Sequence, residues 1–171
     1  MALAAGAGLA GLAYILWPKK RIPASAVVEP FHKEKYVGLW QEIARLPNRV
    51  EKNLKNLTDE YSLKEDGNIK VITRAYNFEK NKPVEAEGTI KFAGRDTRGK
   101  MRAFYTLPIR LDYNILDIDA TYRYALISGN STDHLWIISR ESNIPVDIRH
   151  RFLSKAADLG FDITKLEWMN V

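Results

Sequence analysis

From residue 31 onward the chain is a series of short runs in which apolar and polar residues alternate, the period-two signature of strands buried on one face. Eight such runs can be marked: 38–46, 57–65, 69–78, 84–94, 100–106, 111–119, 122–129 and 134–140. Turn signals separate them. Asp66-Gly67-Asn68 is a tight hairpin signal, and Asn81-Lys82-Pro83 and Pro108 punctuate further on. Strands at this even spacing predict an antiparallel sandwich or barrel. The period then changes. Ile148, Phe152, Ala156 and Leu159 recur at spacings of four, four and three, which places them on one face of a helix. Asn143 is the expected cap, Pro145 suits the first turn, and Gly160 stops the helix. The last residues, 165–171, offer one more short strand.

The first 17 residues break the alternation altogether. Met1 to Trp17 is uncharged and mostly apolar, then ends at Pro18-Lys19-Lys20-Arg21. As a helix it would reach about 25 Å, near the lower limit for crossing a bilayer core. Tyr14 and Trp17 are placed as interfacial anchors beside the basic cluster. The segment reads as a membrane anchor, with a cleaved signal segment ending near Ala24-Ser25-Ala26 as the alternative. The charges follow the apolar run rather than precede it, which favours the anchor. Ala4 and Gly8, and Ala7 and Gly11, are small residues four apart, a spacing that permits close helix contacts and a homodimer. Residues 18–30 hold three prolines and no period, and are expected to form an extended tether to a domain at 31–171.

Composition changes the picture in two ways. The net charge of +5 includes Lys19, Lys20 and Arg21 against Glu29, so residues 31–171 carry only +3, spread over both signs. That gives no footprint for nucleic acid, while the basic cluster beside an apolar run suits anionic head groups. Cysteine is absent, which removes disulfides, thiolate metal sites, a catalytic thiol and lipid attachment through sulfur. His32, His134 and His150 lie far apart, and no Gly-x-Ser-x-Gly, phosphate-binding glycine loop or His-Glu-x-x-His is present. Asp117 and Asp119, two apart on a strand, could face a cation but read better as solvated carboxylates near a turn. No catalytic residue, metal or cofactor is assigned.

Three regions in order carry a resemblance. They are Gly38-x-Trp40, then Asp119-Ala120-Thr121-Tyr122 between the sixth and seventh runs, and Arg140 closing the eighth. With eight strands and the late helix, the chain resembles the lipocalin family over residues 28–171, close to its bacterial outer-membrane and apolipoprotein D branch. The middle motif departs from the family's Thr-Asp-Tyr, standing here as a looser Asp-x-x-Tyr. The resemblance implies an eight-stranded up-and-down barrel large enough to enclose one small ligand. It also implies that Arg140 lies over Trp40 at the closed end. Placement at a bacterial outer membrane or in the periplasm would follow, although the acylated cysteine of many such relatives is missing.

If Trp40 and Arg140 point inward, strand parity sends Glu42 and Ala44, and Ile138, Trp136 and His134, toward the cavity. For other strands the parity with the larger apolar or aromatic residues is taken as inward. It selects Tyr61 and Leu63, Ile72, Arg74 and Tyr76, Phe104, and Tyr113 with Ile115. Glu42 and Arg74 then form an expected internal charge pair. The resemblance implies a fatty acid or lysophospholipid as ligand, carried, stored or scavenged near a membrane. A plugged barrel acting as a scaffold, or an enzyme working on a bound lipid, are the alternatives.

Overall fold

The structure is a computed structural model describing residues 19–106 and 110–169. The apolar segment 1–17, with its expected anchor and small-residue helix contacts, lies outside the described residues. Among the described residues no helix is long and apolar enough to cross a membrane.

Eight antiparallel strands form the wall: β1 Gly38–Arg45, β2 Leu54–Leu63, β3 Ile69–Asn77, β4 Lys82–Phe92, β5 Lys100–Tyr105, β6 Arg110–Ile118, β7 Tyr124–Ser128 and β8 Leu135–Ser139. Each pairs with its neighbour in sequence, and β1 pairs with both β2 and β8, closing the barrel. Closure leaves no free strand edge around the wall, which removes the template for edge-to-edge association. Gly67 takes φ +79° in the β2–β3 turn, a conformation that explains the glycine there. A one-turn helix, α1 Lys33–Tyr36, precedes β1. Helix α2, Val146–Leu159, lies outside, and a two-residue strand, β9 Glu167–Trp168, joins the far half of β1.

The sheet divides two cores. Inside lie Trp40, Tyr61, Val71, Met101, Tyr113, Ile127 and Ile138. Outside, Phe152 and Ala156 of α2 seal Ile43, Ala44, Leu116, Leu126 and Ile137. The helical face therefore falls where its period puts it, with Ile148 and Leu159 partly buried at its margins. Gly160 ends the helix in the left-handed region at φ +91°. The start differs from expectation. Pro145 occupies the N-cap position with no side-chain cap, so Asn143 does not serve.

One irregularity in β1 controls what faces the interior. Glu42 pairs with Ile138 but Ala44 pairs with Ile137, so Ile43 is an extra residue, a bulge. Beyond it the parity flips. Ala44 joins the outer core, and Arg45 turns inward beside Glu42. Residues 19–30 pack against the barrel, Ile22 and Ala26 on the outer core and Val28 on the inner one. Ile22 N–H donates to the Asn130 carbonyl at 3.0 Å and Val28 N–H to the Ile115 carbonyl at 2.9 Å.

Candidate functional site

The floor of the barrel is built around Trp40. Its ring packs at 5.1 Å from the Tyr36 ring, its Nε1–H donates to the Tyr36 carbonyl at 2.8 Å, and it is 1% exposed. The Arg140 guanidinium sits 4.3 Å from the indole centroid. A cation over an indole face contributes about 0.5–2 kcal/mol. The same guanidinium donates to the carbonyls of Val37 at 2.7 Å and Tyr122 at 2.8 Å, joining α1, the entry to β1 and the β6–β7 turn. Gly38 is required by this arrangement twice over. Its φ is +106°, and a Cβ there would stand 2.8 Å from Arg140 Nη1. Asp119 shapes the turn above Arg140 by accepting the N–H groups of Thr121, Arg123 and Tyr124, while Asp117 pairs with Arg151 of α2 at 3.1 Å. Among the described residues no group of three metal-ligating side chains occurs.

Above the floor the expected lining is reached in part. Tyr61, Tyr113, Ile115, Trp136 and Ile138 all belong to the inner core. Glu42 is inward and buried. The remaining assignments are corrected. Ala44 is turned out by the bulge. In β3 the inward residues are Ile69, Val71, Thr73 and Ala75, so Ile72, Arg74 and Tyr76 face outward. Arg74 does not meet Glu42. It pairs with Glu60 at 2.8 Å and Glu85 at 2.9 Å on the surface, where such pairs contribute little. In β5, Met101, Ala103 and Tyr105 face inward and Phe104 faces out, covered by Lys91 and Arg110. Tyr76 is likewise covered by Lys55. Leu63 is 43% exposed at the strand's end. The size criterion fails on β3 because the inner positions hold the smaller Val71, Thr73 and Ala75, and on β5 because Phe104 and Tyr105 are of like size; long cationic side chains shield the outward rings.

The interior that results is polar at two levels. Near the mouth, Arg45 Nη1 donates to Glu42 Oε1 at 2.8 Å, and its Nη2 donates to the carbonyls of Glu51 and Leu54. The Glu51 carboxylate accepts from Trp136 Nε1 at 2.9 Å. Burial and the neighbouring Glu51 charge lift the Glu42 carboxyl well above its ordinary range, against the pull of Arg45.

Deeper, three phenols and a carboxylate are linked. Tyr36 and Tyr113 hydroxyls lie 2.6 Å apart, Tyr113 and Tyr61 2.7 Å, and Tyr61 donates to Asp59 at 3.1 Å. Thr73 donates to the other Asp59 oxygen, and the Tyr105 hydroxyl lies 3.2 Å from Thr73 Oγ1. Burial raises the Tyr36, Tyr61, Tyr105 and Tyr113 phenols, so all four stay protonated. Asp59, Thr73 and Tyr105 were not singled out from the sequence. All three point inward and are half-buried. Gly88 makes room for Tyr105: a Cβ would stand 2.9 Å from the Phe104 carbonyl and 3.0 Å from Tyr105 Cδ1. Gly88→Ala is expected to push that ring off Thr73 and cost about 1–3 kcal/mol, measurable by urea unfolding.

Comparison with known proteins agrees with this geometry. Residues 31–171 match the family model described as a lipocalin-like domain. The chain is 36% identical over 143 residues to the outer membrane lipoprotein Blc of Escherichia coli strain K12, covering 84% of this chain and 81% of that one. It is 30% identical over 133 residues to apolipoprotein D of Bos taurus, covering 73% and 69%. Among solved structures, insecticyanin from the tobacco hornworm Manduca sexta superimposes with a TM-score of 0.73 at 18% identity, over 91% of this chain and 88% of that one.

Proposed function

The chain belongs to the lipocalin family, and from that premise we propose that its barrel binds a single-chain lipid of the fatty acid or lysophospholipid class. The role is carriage, storage or scavenging near a membrane. The observation that carries the reading is the ring of inward positions above the Trp40–Arg140 floor. Val71, Ala75, Ala103 and Ile127 are small or aliphatic, and the half-buried Asp59, Thr73 and Tyr105 stand among them. Such a wall is apolar enough to desolvate an acyl chain. Trp136, Tyr113, Tyr61 and Ile138 are the aromatic and aliphatic contacts we assign to the ligand, with Glu42 at the mouth. The reading is one of binding: the polar groups of the interior are tied to one another in chains of hydrogen bonds.

The name of the Blc relative, an outer membrane lipoprotein, supports placement at the outer membrane or in the periplasm of a bacterium. Here the apolar residues 1–17 would take the place of a cysteine-linked lipid.

A chain-length series tests the reading. Each buried methylene contributes about 0.8 kcal/mol, so affinity should rise about fourfold per added carbon until the cavity is full. Titration of the full chain with lysophosphatidylcholines of increasing length, read by tryptophan fluorescence, checks this. Affinity independent of length, or binding of none of them, would instead support a filled barrel that acts as a scaffold.

A further inference from the structure

We propose that the calyx selects ligands whose buried end carries a protonated primary amine, and that Asp59 is the residue that receives it. The proposal rests on the reading of the barrel as a lipid calyx and narrows its ligand class.

The argument is a count of protons. An ionised carboxylate only accepts hydrogen bonds. Tyr61 gives its single O–H to Asp59. The Tyr113–Tyr61 bond must therefore be donated by Tyr113, and the Tyr36–Tyr113 bond by Tyr36. Thr73 likewise gives its proton to Asp59, so Tyr105 donates to Thr73. Both chains of hydroxyls converge on one carboxylate, and every O–H in them is committed. Of the nearby N–H donors, Trp40 Nε1 donates to the Tyr36 carbonyl and Trp136 Nε1 to Glu51. Near the mouth Arg45 uses Nη1 on Glu42 and Nη2 on two carbonyls, while its Nε has no hydrogen-bond partner, Glu167 standing 3.9 Å away. Around Asp59, deeper in the barrel, what the wall still offers to a ligand is lone pairs.

Charge points the same way. The side chains turned into the barrel above Trp40 include Glu42, Glu51 and Asp59 against Arg45, and even with the Glu42 carboxyl lifted to about 8 the acids outnumber the one base. A carboxylate at the base would meet like charge and no free donor. An ammonium would meet the half-buried Asp59 carboxylate and the lone pairs of Tyr105. Burial also lifts the Asp59 carboxyl to about 6, opposed by the Thr73 and Tyr61 hydrogen bonds and reinforced by the Glu51 charge. The groups facing Asp59 are Trp40 and Glu42 from β1, Glu51 from the β1–β2 loop, Tyr61, Thr73, Tyr105, Tyr113, and Tyr36 from α1. The phenols among them stay protonated through neutral pH.

The experiment is calorimetric titration of the full chain at pH 7.5 with decylamine, decanoate and decanol. Decylamine is expected to bind about tenfold or more tightly than decanoate, a ratio set by one ion pair out of water. In Asp59→Asn the preference should collapse while decanol affinity stays. In the wild type, decylamine affinity should weaken about tenfold per pH unit below about 6, as Asp59 takes up a proton, with decanol unaffected. That profile decides the matter without a variant. A parallel arm compares lysophosphatidylethanolamine with lysophosphatidylcholine of equal length: a preference for the first places the amine on a phospholipid head, and its absence beside tight decylamine binding places it on a free amine. Equal or tighter binding of decanoate, or a preference that survives Asp59→Asn, overturns the proposal. If decanol fails too, the calyx reading falls and takes this one with it.

Discussion

Trp40→Ala is expected to lower the free energy of unfolding by about 3–5 kcal/mol, the range for deleting a large buried aromatic. The cost here goes beyond the lost indole. Arg140 loses the ring it covers at 4.3 Å, and the Tyr36 carbonyl loses the Nε1–H that accompanied the packing. Tyr36 in turn heads the hydroxyl chain through Tyr113, so its ring would gain freedom at the base of the calyx. Chemical denaturation of the full chain gives the free energy. A loss below 1 kcal/mol would mean that the floor is held by the Arg140 hydrogen bonds to backbone rather than by the ring.

The second large effect belongs to Arg45. Both members of the Glu42–Arg45 pair are 3% exposed, and removing one partner of such a pair costs about 3–5 kcal/mol because the other charge is stranded. Arg45→Met should approach that range only at about pH 9.5, above the Glu42 pKa of about 8. The β1–β2 loop should loosen as well, since Arg45 holds the Glu51 and Leu54 carbonyls. The sign of the pH dependence follows from Glu42. Its folded pKa is raised above the unfolded value, so its contribution is most favourable below about pH 4.5 and is lost as pH rises through the folded pKa. Without Arg45 that pKa climbs further. At pH 5 the stranded carboxyl is neutral, and the penalty of Arg45→Met should shrink. Denaturation midpoints of wild type and variant at pH 5 and about pH 9.5 measure it, and a loss that is equal at both would assign the effect to the backbone contacts alone.

How much of this could be read from the chain depends on the strand. Alternation and turn residues locate all eight wall strands within a few residues, because a half-buried strand must show a period of two. The floor is legible from Gly38, Trp40 and Arg140 through the lipocalin resemblance, which implies that the arginine lies over the indole. The lining is harder. On β6 and β8 the larger side chains do face inward, and Tyr113, Ile115, Trp136 and Ile138 fall where parity puts them. On β3 the smaller Val71, Thr73 and Ala75 face inward, and on β5 Ala103 and Tyr105 do so while Phe104 faces out, so size fails as a guide. Thr73 and Tyr105 escape notice with that choice of face; Asp59 shares the inward parity of Tyr61 and is passed over because it is a small acid among large apolar candidates. Ala44 fails differently. A bulge at Ile43 leaves no mark in a sequence where Glu42, Ile43, Ala44 and Arg45 alternate as well in one register as in the other.

The closure of the wall bears on how the molecule is reached from the unfolded chain. Seven of the strand pairings join neighbours in sequence and can form as local hairpins, but Gln41 must find Ser139, about 100 residues away. Bringing ends together over that distance costs roughly 4 kcal/mol of loop entropy in a free chain. Much of that cost disappears once the intervening hairpins have formed, since the effective loop is then short. The β1–β8 seam is therefore the natural last step of assembly. The residues that make the floor sit on that seam, so Gly38, Trp40 and Arg140 act as the clasp that keeps a finished barrel from reopening.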